Sequence, residues 1–395
     1  MKRLGVLLRR AVVPALALVT AFFLGAILIV LTDYEHLQNL GSDPVGAIAA
    51  AIGGVFEGYG AMLSGAIGDP GRIVAAIQSG NPIDVANAVR PLTETLVGAT
   101  PFIFVALGLV VSFRAGLFNL GADGQFLIGG LGTVITANLL HGLLPPFAIL
   151  GVALAGGTLF GAAYGFVPGF LKARTGAHEV ITTLMLNSIA PGIMVLVLRS
   201  GDFSRSLSSI ADVPLLFDLQ AIRLDWGFVF ALLMAPVVSF LLSRTSLGFE
   251  LRATGFSRTA ARGAGMSPGR STVLAMVLSG GLVGMGSAFL ALGPARGLSG
   301  GPFDLGYVAL ALALLGGLRP SGVVLVALLY GALTNGAKNM VIVTGIPLAL
   351  LVVIIALAMM FVAAPGLTRS IWRLGPARQA PELAPIQPTG HAEGI

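Results

Sequence analysis

The sequence contains no cysteine, which excludes disulfides, thiolate nucleophiles and cysteine-based metal sites. It is also poor in charge. Only 10% of its 395 residues are Asp, Glu, Lys or Arg, against roughly 25% in an average soluble domain. Histidine occurs four times, and the only one after His178 is His391, near the C-terminal end. The GLSG at 297–300 matches the G-x-S-G of an intramembrane serine protease, but such a serine needs a base within hydrogen-bond reach and the inventory supplies none nearby. There is no H-E-x-x-H for zinc and no G-x-x-x-x-G-K-[ST] for nucleotide phosphates. If ATP drives this protein, another chain binds it. No stretch between the apolar runs is long enough to bury a soluble core of its own.

What fills the chain instead is apolar: 56% hydrophobic residues and a mean hydropathy of +0.93. That composition predicts an all-α polytopic membrane protein, since only helices or closed barrels satisfy their backbone in lipid. A window of about 20 residues places ten spans, near 11–31, 92–112, 126–140, 143–166, 180–198, 226–243, 272–293, 306–318, 321–337 and 342–364. The stretch 45–66 is apolar but rich in Gly and Ala and carries Glu57, so it reads as an amphipathic or interfacial helix, an eleventh span being the alternative. MKRLGVLLRR has the charge layout of a signal sequence, yet the apolar run behind it is long enough to span and lacks an A-x-A-like cleavage site. It reads as a retained first span.

The net charge of +6 resides in short loops with no basic aromatic face, which points to anionic lipid and away from nucleic acid. With the amino end inside, 16 of the 23 Lys and Arg fall on the cytoplasmic side, and the other side keeps Arg72, Arg90, Arg199, Arg205, Arg223, Arg296 and Lys338. The expected layout is one transmembrane domain over 1–365: a cytoplasmic start and first span at 1–31, an external segment at 32–91, and the remaining spans at 92–365. A polar, Pro-rich cytoplasmic tail over 366–395 is expected to be disordered.

Against this background FRAGLFNLGADGQ at 113–125 stands out, with polar groups and three glycines between two apolar runs. GLFNLG at 116–121 recurs as GPFDLG at 301–306, each followed by an apolar run closing on Gly-Gly. Five spans separate the copies, so they face opposite ways, the arrangement of an inverted internal repeat with broken helices near the midplane. Non-helical backbone at that depth must be buried in protein or line a watery cavity. Asn119, Asp123, Gln125 and Asp304 are then candidates for a solute path, with helix capping as the plainer reading. Gly157, Gly161, Gly165 and Gly169 form a small-residue stripe for helix packing. Thr183 and Asn187, four apart on one face, suit either a hydrogen bond between helices or a place on the path. The loop 244–270 predicts one short basic helix, ended by Gly263 and Gly265, that either lies on lipid headgroups or docks a cytoplasmic partner.

FRAGLFNLGADGQFLIGG, GAHEVITTLMLNSIA, LGFELRATGFSRTAARGAGMS and the stretch at 301–317, in that order, resemble the permease subunits of ATP-binding-cassette importers over roughly residues 90–365. The resemblance is nearest to the branch for nucleosides and simple sugars, related to ribose and branched-chain amino acid permeases. It implies a bacterial cytoplasmic-membrane protein with both termini inside, a second permease subunit, two cytoplasmic ATPases and an external substrate-binding protein. It implies no cofactor on this chain, ATP and Mg being bound by the partner ATPase, and no enzymatic activity of its own. By the same resemblance the loop seats the ATPase through Gly248, Glu250, Arg252, Gly255, Arg258, Ala261 and Gly265. The stretches at 114–125 and 301–306 face the path of the solute, a nucleoside first and a monosaccharide second. His178 departs from the pattern, which often has Asn there. A secondary transporter driven by an ion gradient, with Asp123, Glu179 or Asp304 coupling the ion, is the rival reading; a membrane scaffold is a further one.

Overall fold

A computed structural model describes residues 2–32, 43–199, 213–216, 222–297 and 305–373, with side chains from residue 12 onward. Asp304 and most of the second glycine motif, and the tail beyond 373, lie outside the described residues. The described residues form fifteen helices and no strand, apart from one isolated bridge between Leu215 and Asp225. They are α1 (Lys2–Thr32), α2 (Pro44–Ile67), α3 (Pro70–Ser79), α4 (Pro82–Arg114), α5 (Ala122–Leu140), α6 (Pro146–Thr175), α7 (Glu179–Arg199) and α8 (Trp226–Arg244). There follow α9 (Ser246–Phe256), α10 (Arg258–Gly263), α11 (Pro268–Leu292), α12 (Leu305–Leu315), α13 (Pro320–Thr344), α14 (Leu348–Ala363) and α15 (Pro365–Ile371).

Eight of these, α1, α2, α4, α6, α7, α8, α11 and α13, are long and apolar enough to cross a membrane, and α14 with α15 adds a ninth bent by 92°. The ten-span expectation differs because of the two helices that follow the glycine motifs. α12 has only 11 residues, and α5 opens on Asp123 and Gln125 within its 19. α5 follows the non-helical stretch 115–121, and the residues just before α12 lie outside the described ones.

α2 is unbroken over 24 residues, longer than an interfacial helix needs to be. It runs antiparallel to α13, with Gly58 against Met340 and Gly65 against Asn339. Its end therefore lies beside the middle of α13, about 15 residues or roughly 22 Å from where α13 begins. Ala66 accepts the Thr95 hydroxyl at 2.7 Å and Gly68 sits by Ala88, so α2 stops well below the start of α4 and α3 carries the chain back. α2 and α3 thus form a helical hairpin, and α2 is by length and composition long enough for the full span that the sequence allowed as its alternative.

Among the eight candidate spans α4 and α11 are the most enclosed and α7 the least. The main core gathers Ile103, Phe104 and Leu107 of α4 with Met276, Val283 and Leu292 of α11, and Phe104 stacks on Phe289 at 5.3 Å. The long pairings cross between the two halves: α4 packs on α13, and α11 packs on α6. At the second crossing the glycine stripe of α6 lies against the α11 backbone. A Cβ on Gly161 would come 2.7 Å from the Gly284 Cα, and one on Gly165 would stand 3.3 Å from the Gly280 Cα while running into the Met276 carbonyl. Lipid offers no hydrophobic gain for bringing helices together, so small residues and close backbone packing supply the attraction.

Candidate functional site

α4 ends at Arg114 because the amides of Ala115, Gly116 and Leu117 turn back onto the carbonyls of residues 111–113, with Gly116 at φ +73°. That left-handed turn is cheap for glycine alone. Non-helical backbone then runs to Gly121. Asn119 fixes it: its Nδ2 donates to Gln125 Oε1 at 3.0 Å and to Ser279 Oγ at 2.9 Å, while its Oδ1 accepts from the Gly121 amide at 3.0 Å. Asn119 and Ser279 are 0% exposed and Gln125 1%. Ser279 is the twelfth of the 25 residues of α11, so the broken segment lies at about half the depth of that helix.

α7 grips the same segment from the other side. The Leu120 amide donates to Thr183 Oγ1 at 3.3 Å, the Gly124 amide to Asn187 Oδ1 at 2.9 Å, and Asn187 Nδ2 to the Leu120 carbonyl at 2.6 Å. Tyr164 of α6 steadies α7 by donating to the Leu186 carbonyl at 2.7 Å. The structure thus brings Asn119, Gln125, Thr183 and Asn187 into one network. Asn119, Gln125 and Thr183 are buried, and Asn187 is half-buried.

Asp123 points elsewhere. Its Oδ1 accepts the Gly306 amide at 2.7 Å, at the start of α12 and 183 residues away. Two helix N-termini, those of α5 and α12, therefore meet at this carboxylate. Each carries a partial positive charge, so the acid is stabilised there, and the pair together present amides to any electron-rich group that enters. Half-buried Asp123 and Asn187 are the members of the set nearest to open space.

The loop after α8 folds as two helices where one was expected. Ser257, extended at φ −157°, ends α9 and caps α10 by accepting the Ala260 amide at 3.2 Å. Thr245 caps α9 through the Gly248 amide at 3.0 Å. Gly248, Leu251, Thr254 and Ala261 are buried; Glu250 and Arg252 are half-buried; Gly255, Arg258 and Gly265 are exposed. Gly248 must be small, since a Cβ would come 2.7 Å from the Leu242 Cα. Arg252 Nε donates to the Gly248 carbonyl at 3.3 Å, and Arg258 Nη2 to Thr272 Oγ1 at 2.9 Å, which ties α10 to α11. Between the two helices Phe256 stands 96% exposed, a large apolar side chain at the tip of a polar loop.

Sequence reasoning missed several partners. Arg114 Nε and Nη2 donate to the Leu318 carbonyl at 3.1 and 2.9 Å. Asn335 Nδ2 donates to the Gly65 and Pro91 carbonyls at 2.9 Å each, and Asn339 Nδ2 to the Ala61 carbonyl at 2.7 Å. Asn335 and Asn339 were visible as polar residues inside an apolar run, a signal in itself. On the lipid-loop borders Lys172 pairs with Glu179, and Arg223 grips Glu94 at 2.5 and 2.8 Å. Asp225, just before α8, accepts the Gly227 amide at 2.7 Å, and burial pushes its carboxyl up to about 6. Among the described residues no group of three His, Cys, Asp or Glu could hold a metal ion.

The sequence pattern of the family described as branched-chain amino acid transport system / permease component matches residues 92–364. The guanosine ABC transporter permease protein NupP of Bacillus subtilis is 32% identical over 374 residues, 92% of this chain and 94% of NupP. The nucleoside ABC transporter permease protein NupB of Lactococcus lactis is 30% identical over 372 residues, 90% of this chain and 91% of NupB. The glucose ABC transporter permease protein TsgB13 of Haloferax volcanii is 32% identical over 300 residues, 68% of this chain and 75% of TsgB13. The broken helices, the loop helices and the extent of these matches lead to one conclusion: this multi-pass membrane protein belongs to the branched-chain amino acid transport system / permease component family.

Proposed function

We propose that this chain is the permease subunit of an ATP-binding-cassette importer and forms, with a second permease, the path for a small polar solute. A nucleoside is the first choice and a simple sugar the second, by analogy with the named relatives. The observation that carries the reading is the meeting of the α5 and α12 N-termini at Asp123, beside a broken segment at mid-depth. Half-helices of this kind bind solutes at the midplane of transporters, because their amides are free to point at polar groups. Asp123 and Asn187 would touch the solute, Asn119, Gln125 and Thr183 would hold the backbone behind them, and Asp304 would act from the second copy of the motif. No covalent chemistry is required of this chain.

Energy would come from two cytoplasmic ATPase subunits that hold ATP and Mg, and solute from an external binding protein. Gly248, Glu250, Arg252, Gly255, Arg258, Ala261 and Gly265 would form the seat of the ATPase, with exposed Phe256 as its apolar anchor. Both termini and this loop would face the cytoplasm of a bacterial cell. In a chain without cysteine, single cysteines at Ser257 and Ser79 test this directly: an impermeant maleimide should label Ser79→Cys on intact cells and Ser257→Cys only after lysis. The function itself is tested by purifying the tagged protein in mild detergent with whatever accompanies it, then measuring guanosine uptake in cells. Recovery of a nucleotide-binding ATPase and uptake that stops on ATP depletion are expected. Recovery of the chain alone, with uptake that follows the ion gradient, would replace this reading with the secondary transporter.

A further inference from the structure

The short helix α12 is held at both ends by the broken segment of the other half. Asp123 takes its first amides through Gly306, and Arg114 takes the carbonyl of Leu318, three residues past its last turn. Arg114 and Asp123 are nine positions apart, and α12 measures roughly 16 Å at 1.5 Å per residue. The segment 114–123 and α12 therefore lie side by side, fastened at top and bottom.

The lower fastening is unusual in its chemistry. A guanidinium, the side chain best suited to a carboxylate fork, gives two donors to one backbone carbonyl. That carbonyl belongs to a strained turn: Gly317 and Leu318 follow one another at φ +64° and +52°, and leucine rarely adopts such a conformation. Backbone bonds from the amides of Gly317, Leu318 and Arg319 to the carbonyls of Leu314, Ala313 and Gly316 close the turn, and Arg114 adds two donors at Leu318.

The same elbow touches the loop proposed to seat the ATPase. Gly116 and Gly255 meet backbone to backbone: a Cβ on Gly116 would come 2.9 Å from the Gly255 Cα, and one on Gly255 would come 2.8 Å from the Gly116 nitrogen. No side chain lies between them to absorb a displacement. Beside this contact the Thr254 hydroxyl of α9 is buried without a partner, as is Ser271 in the first turn of α11. Buried polar groups are normally paired, so the packing around these two hydroxyls is not closed by hydrogen bonds.

From these contacts we infer that Arg114 is a positioning residue for coupling: it locks α12 to the segment 114–123, so that a push on α9 through Gly255 and Gly116 moves both half-helices at the solute site together. Without the lock, the push would bend the α4 elbow and leave α12 behind. The inference rests on the importer reading given above.

The test uses the full complex with its ATPase and binding protein in proteoliposomes, guanosine as solute, and three forms of the chain: wild type, Arg114→Gln and Arg114→Lys. The readout is guanosine transported per ATP hydrolysed. Arg114→Gln should lower that ratio about tenfold, while assembly and ATP hydrolysis persist; Arg114→Lys, with one donor reaching the carbonyl, should fall between. A ratio in Arg114→Gln equal to wild type overturns the inference. Should Arg114→Gln fail to assemble, Arg114→Lys decides, since an unchanged ratio there makes Arg114 a fold anchor and nothing more. Failure of the importer reading looks different: wild type itself would show no ATP-dependent uptake.

Discussion

The crossing of α6 with α11 and the crossing of α13 with α2 and α4 both bring helix backbones together in lipid, but only in part by the same means. At the first, glycines remove the side chains and backbone meets backbone, as at Gly161, Gly280 and Gly284. At the second, Asn335 and Asn339 reach across and donate to carbonyls of α2 and α4. The glycine contact has no give, because the atoms a new Cβ would meet are main chain. The asparagine contact depends on flexible side chains, and the carbonyls it serves also sit within helices. The second crossing adds side-chain bonds to a close backbone contact of its own, since a Cβ on Gly336 would run into the Met62 carbonyl oxygen and one on Gly331 would come 2.8 Å from that of Thr95.

Substitutions that attack each crossing should separate them. Gly161→Leu would drive a side chain into the α11 backbone, with an expected cost of about 3 kcal/mol or more, beyond the usual range for overpacking because no side chain can move aside. Loss of monodisperse protein in mild detergent would register it, and a normal yield would show that the α6–α11 contact opens freely. Asn335→Leu should be milder, about 1–2 kcal/mol, in line with hydrogen bonds between membrane helices. A lowered unfolding midpoint with intact yield is the expected result, and Asn339→Leu should shift it by less.

Asp225 sharpens the comparison at the outer edge, where α8 meets α11 through a buried carboxyl held by the Gly227 amide. Burial raises its folded value to about 6, above the ordinary aspartate value of 3.8. The folded state therefore favours the protonated acid: the penalty is complete above pH 6, shrinks as pH falls through the window from 6 to 3.8, and is gone below it. Between pH 7 and pH 5 the gain is about 1 kcal/mol. Asp225→Asn keeps the cap oxygen and should flatten that pH dependence of the unfolding midpoint. An unchanged slope would place the titrating group elsewhere.

The parts of this architecture that show in sequence are those with a local pattern. Apolar runs gave most helices, the glycine stripe at 157–169 announced a close crossing, and GLFNLG announced the break between α4 and α5. The cluster of Asn119, Gln125, Thr183 and Asn187 could be nominated because each is polar within an apolar run. Its geometry could not, since the partner of Asn119 on α11 is Ser279, 160 residues on, and serine in a helix is unremarked. The Arg114 to Leu318 bond spans 204 residues and ends on a carbonyl, which every residue has. The split of the loop at Ser257 was also hidden, because a serine amid helical periodicity reads as surface until its capping bond is seen. The place of α2 escaped for another reason: composition reports how far a helix can reach, whereas the bonds that fix its neighbours come from Asn335 and Asn339 on a helix 270 residues later.

The exchange of partners between halves has a consequence for how the protein is made. α4 leaves the ribosome long before α13, since Ala99 and Gly331, which touch in the finished molecule, are 232 positions apart. At synthesis rates of about 5–20 residues per second, α4 waits on the order of 10 to 50 seconds for its permanent neighbour. During that interval its most enclosed face, including Ile103 and Leu107, is tolerable to lipid, and the Thr95 hydroxyl already has the Ala66 carbonyl of α2 as its acceptor. The α2–α4 contact can thus form first, and α13 docks onto it through Asn335 only near the end of the message.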